Sequence, residues 1–197
     1  MADTFYTISA PSESVTREKM SRFLAFAFPV STVDEAKERI IAIANKFHDA
    51  RHVCWAYMLG SARDVSASND NGEPSGTAGK PILGQINSLG LTDVVVIVVR
   101  YFGGIKLGTS GLIAAYREAA RSCLEAAEIV EKHDMVTLDF TFPYMSMNSV
   151  MKIVKSPGVR VLSQDFDNSC SMAVEFRADE EPRIRGMLDG IDGLTFA

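Results

Sequence analysis

Three cysteines in 197 residues, Cys54, Cys123 and Cys170, stand far apart and form no Cys-x-x-Cys pair. That scarcity excludes a disulfide framework and a thiolate zinc site, and it predicts reduced thiols in a cytoplasmic protein. Long apolar runs are missing as well. Stretches such as Val94–Val99 are strand-sized, well short of the ~20 residues a membrane span needs, so no membrane contact is expected. The opening residues MADTFYTISAPSES lack a basic stretch followed by an apolar core, so no secretory leader is expected. There is no internal repeat and no low-complexity segment. Positive charge is short: 20 Lys and Arg against 25 Asp and Glu leave a net charge of −5. Any contact with nucleic acid must then come from a local basic patch. What remains, 47% hydrophobic and 23% charged residues, is the composition of a folded globular protein.

The first part of the chain alternates strand and helix signals. Phe5–Ser9 reads as a strand, and Ser21–Phe28 is apolar on both faces, as a central strand is. Pro29 ends it, and Ser31 or Thr32 caps a helix whose Val33, Ala36, Ile40, Ala44 and Phe47 keep a 3–4 spacing. His52–Leu59 is a further strand. Ser61–Gly76 reads as an exposed loop, followed by a helix from about Gly79 to Leu89. Val94–Val99, all β-branched, predicts a strand buried on both sides. It runs through a Gly-rich turn into a long helix with Leu112, Ala115, Tyr116, Ala119, Cys123 and Ala127 inward.

Beyond a boundary near Glu131–Asp134 the pattern changes. Strand Val136–Phe142, helix Met147–Lys155, a hairpin of Val159–Phe166 and Met172–Phe176 around Asp167, Asn168 and Ser169, helix Glu181–Leu188 and strand Leu194–Phe196 follow in turn. The order β-α-β-β-α-β is that of a split-βαβ, ferredoxin-like unit.

Two segments carry functional side chains. The turn spanning Gly103, Gly104, Lys106, Gly108, Thr109, Ser110 and Gly111 joins a buried strand to a helix. Free backbone N–H groups and the positive dipole end favour an anion there, with Arg100 and Lys106 adding charge. It matches neither a P-loop nor a GxGxxG dinucleotide fingerprint, and a tight turn with packing glycines explains it equally well. The loop Asp70–Lys80 offers Asp70, Glu73, Ser75, Thr77 and Lys80, with Thr77 or Ser75 also placed to cap the next helix. It lacks the ligand spacing of an EF-hand. His48 and His52 straddle a helix end and a strand start without a HExxH context, so no metal is expected, nor any cofactor. Cys54 and Cys123 read as core thiols and Trp55 with Tyr57 as core aromatics. Tyr101 and Phe102 leave the buried strand as candidates for an exposed aromatic contact.

RYFGGIKLGTSGLIAAY, together with NGEPSGTAGKPIL and HVCWAY, resembles the IMPACT family in its bacterial YigZ-like branch. The resemblance covers most of Ser21–Ala127. It implies an α+β protein of two domains. Residues 1–131 would be an α/β sandwich like ribosomal protein S5 domain 2. Residues 135–197 would be a ferredoxin-like domain similar to the last domain of elongation factor G. Eukaryotic relatives regulate translation through the amino-acid-starvation kinase pathway, which bacteria lack. Two positions depart from the family pattern: Asn71 stands where a second Asp is frequent, and Ser110 where Gly is common.

The expectation is therefore a non-enzymatic binding protein linked to translation or its regulation, contacting RNA, the ribosome or a translation factor. Its surface would comprise Asp70, Glu73, Ser75, Thr77, Lys80, Arg100, Tyr101, Gly103, Gly104, Lys106, Gly108, Thr109 and Ser110. Two alternatives stand beside it. One is an enzyme acting on a small phosphorylated or peptide-like substrate, with Glu73 as general base and Lys80 or Lys106 as electrophile. The other is a protein–protein interaction module only.

Overall fold

The computed structural model describes residues 4–166 and 170–197. They separate into two compact units, one through Lys132 and one from His133.

The first unit is built on a five-stranded antiparallel sheet. Its strands are β2 (Ser12–Glu18), β3 (Ser21–Pro29), β4 (His52–Leu59), β5 (Val65–Asn69) and β6 (Val94–Tyr101), in spatial order β2-β3-β6-β4-β5. β6 is central, and Val94 through Val99 are fully buried, as a strand covered on both faces requires. Strand alternation divides the core in two. Phe23, Cys54, Val96 and Val98 pack under α2 (Gly79–Ser88) and α3 (Gly108–Glu125). Phe26, Tyr57, Val95 and Ile97 pack with Ala36 and Ile43 of α1 (Val33–Lys46), whose N-cap is Thr32. This is the S5 domain 2-like sandwich. A small second sheet joins β1 (Thr4–Ile8) to β7 (Ile129–His133).

Three of these strands were not legible. β5 lies inside the stretch that reads as loop: its alternation rests on Val65 and Ala67 alone, among Ser and Asn, and pairing with β4 makes it a strand. β2 is an edge strand of small and polar residues, held by β3 and by Ser12 and Ser14, whose hydroxyls donate to the Cys123 and Ala119 carbonyls of α3. β7 overlaps the expected domain boundary near Glu131–Asp134, where the sequence shows no strand pattern.

The second unit runs β8 (Met135–Phe142), α4 (Met147–Val154), β9 (Arg160–Asp165), β10 (Cys170–Arg177), α5 (Glu181–Asp189) and β11 (Thr195–Phe196). Its antiparallel sheet has the order β11-β8-β10-β9, which is ferredoxin-like. Leu138, Phe140, Val174 and Phe176 face Val150, Val154, Ile184 and Leu188 of the two helices. β9 and β10 pair as the expected hairpin; its tip, Asp167, Asn168 and Ser169, lies outside the described residues.

Candidate functional site

The loop after β5 is organised by one carboxylate. Asp70 Oδ1 accepts from the backbone N–H groups of Ala78 and Gly79 at 3.0 and 2.8 Å, and Oδ2 accepts from Gly76 at 2.8 Å. Burial alone would raise its pKa. The three N–H donors and Lys80 outweigh that and hold it below the usual carboxylate range. Asp70 thereby caps α2 from outside the helix. The capping role expected of Thr77 or Ser75 is corrected: Ala78 occupies the N-cap without a side-chain bond. The Thr77 hydroxyl, buried, donates instead to the Pro74 carbonyl at 2.6 Å. Asn71 and Gly72 occupy the two central positions of a turn closed by Glu73 N–H to Asp70 C=O, with φ of 39° and 82°. Positive φ at both positions is the type I′ pattern, which Asn-Gly adopts at least cost. The Asn71 side chain then accepts from Val53 N–H, so this departure from the family pattern is a structural fit.

That turn delivers Glu73 into the interior against Arg100 of β6. Their residues are only 9% and 6% exposed, and Arg100 Nη1 donates to Glu73 Oε1 at 2.7 Å. The Tyr116 hydroxyl of α3 donates to the same oxygen at 2.8 Å, and the Cys54 thiol lies 3.3 Å from that hydroxyl. Burial pushes the Cys54 thiol up to about 12 and the Tyr116 phenol upward, so both stay protonated at neutral pH. Two donors on Oε1 make Glu73 the counter-ion of Arg100 rather than a free general base. Arg100 spends Nη2 on the Ser21 hydroxyl at 3.5 Å, while its buried Nε has no hydrogen-bond partner.

Buried Arg100 and Glu73 line a cleft of about 360 Å³ together with Arg51, His52, Phe102, Lys106 and the first residues of α3. Leu107 at the N-cap of α3 supplies no side-chain bond, so the leading N–H groups of an 18-residue helix stand open at the cleft. Gly108, at φ 72°, takes the chain into that helix in a conformation that a side chain disfavours.

The structure therefore gathers five residues of the expected surface, Glu73, Arg100, Lys106, Gly108 and Thr109, together with the aromatic candidate Phe102. The others have different places. Ser75, Lys80 and Ser110 are exposed and do not line the cleft. Asp70 and Thr77 are consumed by the loop's internal bonds. Gly103 is a packing glycine: a Cβ there would stand 2.1 Å from the Met20 carbonyl, and its N–H donates to the Ser21 hydroxyl. Gly104 serves the turn through its φ of 91°. Tyr101 points to the opposite sheet face from Arg100, where its hydroxyl donates to Asp49 at 2.7 Å. Arg51 and His52 were missed as cleft residues because their relation to Arg100 depends on β4 pairing with β6, where His52 stands opposite Arg100. Among the described residues, no cluster of three or more His, Cys, Asp or Glu is placed to hold a metal, and no helix is long and apolar enough to cross a membrane.

The profile of the Impact N-terminal domain matches residues 19–124, the span that contains the cleft. IMPACT family member YvyE of Bacillus subtilis (strain 168) is 36% identical over 150 residues, covering 76% of this chain and 69% of that protein. IMPACT family member YigZ of Escherichia coli (strain K12) is 31% identical over 160 residues, covering 80% and 78%. Among solved structures, one described as a hypothetical protein superposes with a TM-score of 0.76 at 26% identity, covering 100% of this chain and 97% of that one. A longer chain from Thermus thermophilus shares the fold at TM-score 0.50 and 10% identity, with 100% of this chain matched to 29% of it.

Proposed function

This chain belongs to the IMPACT family, and from that premise we propose that it is a non-enzymatic binding protein linked to translation, which seats a phosphate of RNA in the cleft at the start of α3. The link to translation rests on what the family resemblance implies for its eukaryotic members. The observation that carries the ligand is a concentration of positive charge at the open amide end of a long helix: Arg51, Lys106 and the Arg100 guanidinium line the same hollow as Gly108 and Thr109. The leading N–H groups of α3 offer hydrogen bonds to phosphate oxygens, and the helix dipole favours the phosphate's charge. Arg51 and Lys106 at the rim extend the attraction outward. Since the whole molecule is acidic, binding is local and steeply salt-dependent.

Co-sedimentation with ribosomes and gel retardation of RNA at low salt test this reading. Wild type is expected to bind, and Lys106→Glu and Arg51→Glu to bind at least several-fold more weakly with unchanged thermal stability. If wild type does neither at low salt, the reading is wrong.

A further inference from the structure

We infer that the RNA taken by this protein is single-stranded, with Phe102 as the platform on which a base stacks between two phosphate seats; this rests on the reading above and narrows it. Phe102 follows a strand whose Val94 through Val99 are wholly buried, yet it is 53% exposed. It lines two hollows at once. One is the cleft at α3. The other, of about 310 Å³, is lined by Arg17, Met20, Arg22 and Tyr101. The Arg100 guanidinium lies 5.6 Å from the Phe102 ring centroid, and Met20, 77% exposed at the tip of the β2–β3 hairpin, adds apolar surface on the other side.

Charge points the same way. Besides Arg100, the two linings hold Arg17, Arg22, Arg51 and Lys106, and one carboxylate, Glu73, which Arg100 already engages. Arg17 and Arg22 are direct cross-strand partners in the β2–β3 register. Like charges set opposite one another destabilise a strand pair, and an anion between them relieves that repulsion. The surface thus has an anion seat on each side of an exposed aromatic ring, the pattern with which a chain of phosphates and unstacked bases is held. A duplex keeps its bases stacked inside and leaves Phe102 nothing to cover. A mononucleotide fills only one of the two seats.

The test uses the full chain and a fluorescein-labelled 12-nucleotide single-stranded RNA, the same sequence as a blunt duplex, and UMP as competitor. Single strand is expected to bind more tightly than duplex, and UMP to compete only at far higher concentration. Phe102→Ala is expected to weaken single-strand binding roughly 5- to 150-fold, the range of one stacked base, without changing the salt slope. Phe102→Leu, which keeps apolar bulk in the same place, is expected to lose nearly as much. Arg22→Gln is expected to lower the salt slope by about 0.7, the share of one phosphate contact on a single strand. Equal affinity for duplex, wild-type affinity in both Phe102 variants, or equal affinity for UMP overturns the single-strand assignment and leaves RNA binding standing. Loss of binding to every RNA overturns the function itself.

Discussion

At the scale of residues, the buried pair of Arg100 and Glu73 decides what the site can do. Replacing Glu73 with Ala leaves a guanidinium buried without its counter-ion, and the expected loss is about 3–5 kcal/mol in urea denaturation at pH 7. Adding Arg100→Met to that variant should restore much of it, since the lone charge is then gone. The exposed Arg121–Glu125 pair on α3 is the control: Arg121→Ala should leave the urea midpoint nearly unchanged. Asp70 supplies the pH dependence. Its folded pKa lies below the ordinary carboxylate value, so the folded state holds its proton less tightly than the unfolded chain does. Its stabilisation is therefore complete above the unfolded value of ~3.9 and drains away as pH falls from there through the folded value. Asp70→Asn should be less stable than wild type at neutral pH, and the gap should close in thermal melts taken at progressively lower pH below ~4.

At the scale of elements, the β2–β3 hairpin and the turn after β6 form one packed unit. Lys19 and Met20, with φ of 41° and 69°, make a two-residue turn whose backbone presses against Gly103. Gly103→Ala must displace that backbone, since a Cβ at 2.1 Å has no flexible side chain to push aside. A loss of about 1–3 kcal/mol or more is expected from the melting temperature, together with weaker RNA binding as Phe102 shifts. The same contact shows where sequence reasoning ended. Runs with strong periodicity, such as the valines of β6 and the stripe on α3, were legible because burial on a known face follows from spacing alone. β2 and β5 were not, because their residues become strand only through a neighbour's free edge. The site divides likewise. Arg100, Lys106 and the start of α3 are close in sequence and were read together. Glu73 is singled out for the binding surface, and as a base in the enzyme alternative, but its pairing with Arg100 is not, since nothing in NGEPSG announces a partner 27 residues away. Phe102 is singled out beside Tyr101, but that it lines the α3 cleft as well as the hollow it shares with Tyr101 follows only from the fold, since it stands just past the end of β6.

At the scale of the whole molecule, two cores with separate side chains argue for two domains that unfold separately. The unit from His133 is the smaller. A small unit buries a lesser share of its surface, so it should open first and with a shallower dependence on denaturant. The chain has a built-in reporter: its single tryptophan, Trp55, sits on β4 in the first unit, stacked on Tyr57. Tryptophan fluorescence thus follows only the first unit, whereas far-UV circular dichroism follows both. The two probes should give midpoints that do not coincide in urea. Phe176 is fully buried in the second core, and Phe176→Ala should remove about 3–5 kcal/mol there. If the units are independent, that substitution lowers the early dichroism transition and leaves the Trp55 transition and RNA binding at the α3 cleft where they were. A single coincident transition, or movement of the Trp55 midpoint in Phe176→Ala, would instead mean that the two cores fold as one cooperative body. The anion site would then draw its rigidity from the whole chain rather than from the sheet that carries it.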